Sequence, residues 1–403
     1  MRRAMTGRRG GARIGTTRLR AWALALALAG ASLPGSAAAL DLSQWVPGLR
    51  VTPFLTQRVE YNSNVFQVPT GVQSDVIFWT TPGVVGDYTF GNYTLSLGYR
   101  AEIQNYLELT SQNFVNHVGA LQFLAEFPRL TVTVRNDFIR TNEPPISELS
   151  GPIASNTNVL APEAEYRLTS RLSLGANVGW THVDYQDPAA EVIDRDEYQV
   201  GLTAFWRLFT KGDVRVDVAY RRAHFKQDST RDVDYYLLTA GLRGDITDKI
   251  ASTFRIGLQV RDAKSGQSGF SGLAFSGDLV YRPRATTTIT LTAQRSTVDS
   301  AFGDEPFYVT TGGGIAVRQE VWRRVSVEAR IAGGINEYPG IEVVNGVSGR
   351  RKDGFLTAGL NVEYQPREWL LLGVEYRHNF RRSTFQIFEF DQDRVIGKAT
   401  VIF

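Results

Sequence analysis

The chain contains no cysteine. Disulfides, thiolate metal sites and cysteine nucleophiles are therefore excluded. Histidine is scarce, with four copies at His117, His182, His224 and His378. They form no cluster with metal-ligand spacing. No Ser-His-acid spacing and no phosphate-cradling loop stands out either. The expectation is a protein that is not an enzyme, with no cofactor and no metal. Beyond residue 39 no apolar run reaches the ~20 residues that a spanning helix needs. Helical membrane spans are thereby excluded. A real basic excess is missing too. The formal net charge is +3, yet Arg2, Arg3, Arg8, Arg9, Arg13, Arg18 and Arg20 all precede residue 40, where there is no acid. Without them Lys+Arg falls from 44 to 37 against 41 acids. No nucleic-acid partner is expected.

The first 39 residues read as a secretory signal. A basic segment precedes the apolar run Ala21–Leu33. Pro34, Gly35 and Ser36-Ala37-Ala38-Ala39 follow, which places cleavage after Ala39. Residues 40–403 are expected to form a single domain.

What is present is alternation. Between Glu163 and Tyr185 one apolar-polar run ends at Tyr166-Arg167-Leu168. Thr169-Ser170-Arg171 reverses the chain. Leu172, Leu174, Ala176, Val178 and Trp180 then fall on every second position. Period two marks a strand with one apolar face, and the polar turn makes a hairpin. Similar hairpins turn at Phe90-Gly91-Asn92, Thr247-Asp248-Lys249, Arg282-Pro283-Arg284 and Gln365-Pro366-Arg367. The pattern predicts about 18 strands (16–18), with short turns alternating with longer polar loops. The strands are too long for propeller blades.

One face of these strands carries Leu, Val, Phe, Tyr and Trp; the other carries Arg, Glu, Asp, Asn, Thr and Gly. A large closed sheet with a polar interior needs water inside and lipid outside. The expected fold is all-β: a transmembrane antiparallel up-and-down β-barrel, with short periplasmic turns and longer extracellular loops. With the leader, this predicts the bacterial outer membrane. A soluble secreted solenoid or sandwich is the alternative.

Strand parity puts many charges on the lumen side. Arg58 and Glu60, Arg100 and Glu102, Arg135 and Asp137, Arg215 and Asp217, Glu328 and Arg330, and Glu375 and Arg377 are each two apart, about 7 Å along a strand. Arg167, Arg207, Arg221, Arg243, Arg255, Arg261, Arg318, Arg381, Arg394 and Lys398 add basic groups. Glu163, Glu165, Asp278 and Glu363 add acids. Such walls select anions when the cations are free. When every cation is paired they form a stiffening ladder. Both readings stand at this level.

Aromatics near strand ends, among them Trp180, Trp206 and Tyr281, suit interfacial girdles. Phe307, Tyr308, Phe385 and Phe388 are the candidates for stacking on sugar rings. His182 and Asp184 share a face. Gly312-Gly313-Gly314 suggests a bend or bulge. Asn62 and Asn64 suit a turn better than a sugar site.

The segment Tyr61-Asn62-Ser63-Asn64-Val65-Phe66 follows a Pro-containing first strand. Together with the turns at Tyr166–Leu174 and Tyr281–Thr286, it resembles the beta-barrel porin 2-like family associated with capsular and exopolysaccharide synthesis and export. That resemblance implies an outer-membrane step in polysaccharide export, by analogy with the 18-stranded alginate exporter. The expected function is a hydrated, Arg-rich export channel. A small-solute diffusion porin and a non-conducting adhesin or scaffold are the alternatives. The end of the chain, with Val395, Ala399, Val401 and Phe403, resembles the signal read by the barrel assembly machinery. Expected partners are outer-membrane lipid and lipopolysaccharide, that machinery, polysaccharide and periplasmic export components.

Overall fold

The computed structural model describes residues 46–143, 150–188, 190–264, 268–301 and 306–403. The expected signal peptide lies outside them. The strands are β1 (Leu49–Asn62), β2 (Asp75–Phe90), β3 (Tyr93–Tyr106), β4 (Phe114–Glu126), β5 (Leu130–Thr141), β6 (Ser155–Arg167) and β7 (Leu172–Tyr185). Then come β8 (Arg195–Arg207), β9 (Lys211–Phe225), β10 (Val233–Thr247), β11 (Ile250–Ala263), β12 (Phe270–Arg284), β13 (Thr287–Asp299), β14 (Phe307–Trp322) and β15 (Val325–Glu337). A small hairpin, β16 (Glu342–Val344) and β17 (Val347–Gly349), stands apart in the loop before β18 (Lys352–Arg367). β19 (Leu370–Ser383) and β20 (Phe390–Ile402) complete the chain.

Eighteen strands form one antiparallel sheet, each paired with its neighbours in sequence apart from the small hairpin. β1 pairs with both β2 and β20, from Phe54 opposite Ile402 to Asn62 opposite Arg394. The sheet is therefore closed and has no edge. Closure pairs the backbone groups that lipid could not satisfy.

The faces follow the alternation. Ala176, Leu202, Val218, Leu238, Leu258 and Leu273 lie opposite one another on successive strands β7 to β12. They form an apolar row around the outside, where Leu258 is 58% exposed. One residue along, Thr203, Asp217 and Thr239 form an inner row, and both threonine hydroxyls donate to the Asp217 carboxylate, at 2.8 and 3.2 Å. Water belongs on that side and hydrocarbon on the other.

Local chemistry makes the turns. Thr169 Oγ1 accepts from the backbone N–H groups of Arg171 and Leu172, at 3.2 and 2.9 Å. Thr247 repeats this with Lys249 and Ile250, at 3.2 and 3.1 Å. A threonine hydroxyl thus replaces a strand partner where the chain reverses. Gly91 turns the β2–β3 link at φ +57, a conformation that favours glycine.

The long loops share a different device. The last residue of a strand donates its backbone N–H to a side chain six to nine positions later. Tyr106 bonds Asn113, Tyr185 bonds Asp194, Phe225 bonds Asp232 and Ser383 bonds Glu389. These acceptors each follow a single 3-10 turn. The carboxylate or amide pins the loop back onto the rim. Burial raises the Asp194 carboxyl above its ordinary range.

Inside that rim sits a small apolar core. Val183, Tyr185, Ala223, Phe225, Val233 and Tyr235 point inward from β7, β9 and β10 and meet Ile153, Ala190, Ile193 and Ala301 from the loops. The loops therefore fold into the outer mouth.

The triple glycine corrects an expectation. Gly312, Gly313 and Gly314 stay in register with Gly334, Gly333 and Ala332, without a bulge. Close approach explains them: a Cβ on Gly334 would meet the Phe355 ring at 2.9 Å.

Candidate functional site

Cavities open at several places on the inner wall among the described residues, and two of them gather charged and carboxamide side chains. The larger, about 720 Å³, lies against β5 to β13. Five arginines line it (Arg135, Arg215, Arg221, Arg255 and Arg295) against three carboxylates, Glu163, Glu197 and Asp217. Asp217 accepts from Arg215 Nε at 2.9 Å, and Glu197 accepts from Arg221 Nη1 at 3.0 Å. Arg135 donates to Gln122 at 3.1 Å and lies 4.0 Å from Glu163. Arg255 donates to Ser276 at 3.5 Å, and Arg295 donates to the Thr311 hydroxyl. Neither of these two forms an ion pair among the described residues.

The i,i+2 charge pairs divide. Arg58 with Glu60 (3.1 Å), Arg100 with Glu102 (2.7 Å), Arg215 with Asp217 and Arg377 with Glu375 (2.7 Å) pair along their own strands. The other two pairs are redirected. Glu328 lies 3.7 Å from Arg318, and Arg330 pairs across strands with Glu375. Asp137 projects beside Arg135 without joining it, its backbone opposite Ala120 and Val159. Cross-strand register brings a partner closer than the residue two positions away.

The remaining predicted wall residues are distributed as follows. Arg207 bonds Asp213 at 2.5 Å, and Lys398 bonds Glu363 at 2.7 Å. Arg243 bridges Glu165 and Asp213, both at 2.8 Å. Arg167 is exposed at the short-turn end of β6. Arg261 is buried beside Asp299 at 3.6 Å, with the Phe307 ring 4.6 Å from its guanidinium carbon. Arg381 is 2% exposed and donates to Phe388 O and Ser150 Oγ, at 2.5 and 2.7 Å. These last two anchor the loops. Val401 lies opposite Leu55 and Leu370, and Phe403 N donates to Pro53 O at 2.9 Å.

Two sequence expectations change partners. His182 Nδ1 lies 2.8 Å from Asp196 Oδ1 on β8, whereas Asp184 pairs with Lys226 at 3.8 Å. Phe307 and Tyr308, the first residues of β14, and the loop residue Phe385 are buried, so they offer no open stacking face. Phe388 carries the Arg351 guanidinium 3.4 Å over its ring.

The smaller cavity, about 400 Å³, lies between β18–β20, β1–β3 and the loop residues Asn142, Glu143, Gly151 and Pro152. Its wall includes Glu60, Trp79, Gln104, Asn379, Gln392 and Arg394. Asn142, Gly151 and Pro152 from the β5–β6 connection cover it. Sequence alternation marks its strand residues as inward-facing, but nothing local announces the covering segment.

Asn64, in the motif that follows β1, accepts from Val68 N (3.2 Å) and donates to Val68 O (2.8 Å), so it does hold a turn. That turn packs Val65 against Ile77, Trp79 and Tyr106.

The family described as "Putative beta-barrel porin 2" matches residues 48–402. The chain belongs to that family. The porin's fold recurs in solved structures of low identity. OccK2 (OpdF) of Pseudomonas aeruginosa, solved in complex with glucuronate, is 13% identical. The match covers 88% of this chain and 98% of that one, with a TM-score of 0.50. A BenF-like porin from Pseudomonas fluorescens Pf-5 is also 13% identical, with coverage of 88% and 99% and a TM-score of 0.50. No curated protein matches the porin significantly. The chain is an outer-membrane β-barrel porin, with lipid outside and a polar lumen within.

Proposed function

We propose that this porin is a passive channel for small hydrophilic solutes, with a preference for anions. One observation carries the reading. The 720 Å³ cavity holds five arginines against three carboxylates, and Arg255 and Arg295 form no ion pair among the described residues. An anion entering there finds positive charge in a low-dielectric wall, where it acts more strongly than in bulk water.

The loop core in the outer mouth favours small solutes over a polymer. A threading polysaccharide needs one continuous wide passage. These loops narrow the outer mouth. Export in capsular or exopolysaccharide synthesis, implied by the sequence resemblance, is therefore the weaker reading. The OccK2 likeness is an analogy of fold and gives only a direction.

Reversal potential in a potassium chloride gradient across a planar bilayer tests the proposal. Anion preference is the expected result. Cation preference, or absence of conductance, would overturn it. Normal polymer secretion from a deletion strain would agree with this reading; loss of secretion would favour export.

A further inference from the structure

We propose that the 400 Å³ cavity binds one polyhydroxylated ring of the sugar class. The inference rests on the channel reading and names a ligand for a second place within it. Trp79 and Gln104 sit opposite each other on β2 and β3, both pointing inward. They are 4% and 2% exposed. Trp79 Nε1 and Gln104 Nε2 nevertheless have no hydrogen-bond partner among the described residues. A buried donor without an acceptor is costly and rare. Both residues belong to the wall of the smaller cavity, and two such donors side by side fit a ligand that brings acceptors.

Most charges nearby are already paired; Glu143 also lines the cavity, with no ion pair among the described residues. Glu60 is fully buried, 3.1 Å from Arg58 and 2.5 Å from Arg394. Arg58 covers the Trp79 ring at 3.6 Å. Arg377 is held by Glu375 at 2.7 Å. A free anion therefore gains little here that the wall does not already supply.

Carboxamides dominate what remains. Thr357 Oγ1 donates to Asn379 Oδ1 at 2.8 Å, Asn379 Nδ2 to Gln392 Oε1 at 2.9 Å, and Gln392 Nε2 to Asn62 Oδ1 at 3.1 Å. This chain crosses four strands and fixes the orientation of each amide. An amide both donates and accepts, as a hydroxyl does. A ring bearing several hydroxyls is the small-molecule class that matches such a surface on many sides. The volume sits at the small end of ligand pockets, which span ~300–1,000 Å³.

The test uses the full chain folded in detergent, titrated calorimetrically with glucose and with benzoate. Glucose is expected to bind, and benzoate, flat and short of hydroxyls, is not. Gln104→Met keeps the length of the side chain and removes the donor; Trp79→Phe removes the indole N–H. Each should weaken glucose binding about tenfold, the worth of one hydrogen bond in a buried site. Heat-modifiable migration on a denaturing gel confirms that each variant has folded. Should Gln104→Met not fold, Trp79→Phe carries the test. No heat with glucose, equal binding of benzoate, or unchanged affinity in the folded variants would overturn the site. Conductance without glucose binding would reject the site alone. Glucose binding without conductance would reject the channel and keep the site.

Discussion

Arg381 Nη2 donates to Ser150 Oγ at 2.7 Å, joining β19 to the β5–β6 connection across 231 positions of sequence. The same guanidinium donates to Phe388 O at 2.5 Å through Nε. One buried cation thus ties two loops to the inner wall. Ser150 directly precedes Gly151 and Pro152, which line the smaller cavity. Losing that cation should free the segment without breaking the strand ladder.

Arg381→Ala is therefore expected to raise single-channel conductance while the barrel still folds. Ser150→Ala should do the same to a smaller degree, because Phe388 O remains bonded. Single-channel recording in planar bilayers measures both. Conductance equal to the native channel in Arg381→Ala would show that the segment does not limit passage.

The proposed anion preference rests on Arg255 and Arg295, which form no ion pair among the described residues. Arg255→Glu with Arg295→Glu changes the lining from five arginines against three carboxylates to three against five. The reversal potential should shift toward cations. Arg207→Glu, at the short-turn end and already bonded to Asp213, should shift it less. Equal shifts would remove the special role of the 720 Å³ cavity.

Lipid contact predicts an asymmetry between faces. Leu258 points outward, and Gln199 lines the larger cavity. Leu258→Arg should destabilise the barrel by about 2–4 kcal/mol if it lies near the bilayer midplane. Gln199→Arg should cost much less, because its head stays in water. Denaturant titration of folding into lipid vesicles gives both values. Equal costs would reverse the assignment of faces.

Asp194 supplies a pH signature. Burial raises its carboxyl while its Oδ1 accepts the Tyr185 N–H at 2.7 Å. A raised native pKa means that the folded state holds the proton more tightly. The stability this proton confers is fully present below the unfolded value, about pH 4, and is lost as pH rises through the native value. Asp194→Asn keeps an acceptor and removes the titration. Thermal midpoints measured across the acid range should therefore fall less with rising pH in the variant. Parallel curves for the two proteins would discount Asp194.

Much of the fold was legible along the chain because its causes are local. Leu172, Leu174, Ala176, Val178 and Trp180 declare an outward face by period two alone. Thr169 and Thr247 stand where a hydroxyl can close a turn onto residues two and three positions later. Eighteen strands, their turns and the closed polar lumen follow from repeating those two devices. The loop device was harder to see: an aromatic strand end and an Asn or Asp seven to nine residues later, as at Tyr106, Tyr185 and Phe225. Its only signal is a spacing within polar loops.

The sequence by itself determined which side chains face inward, since pleating settles that residue by residue. Only the tertiary structure decided what they meet there. Glu328 turns to Arg318 and Arg330 to Glu375 because register with the neighbouring strands, not separation along one strand, sets the nearest partner. Arg381 became a buried clamp because a loop from β5 and β6 arrives beside it. Trp79 and Gln104 came to share one cavity wall with Asn379, Gln392 and Arg394 because closure of β1 on β20 brings the first and last strands together. These outcomes depend on contacts between distant segments, whose energies no local pattern encodes.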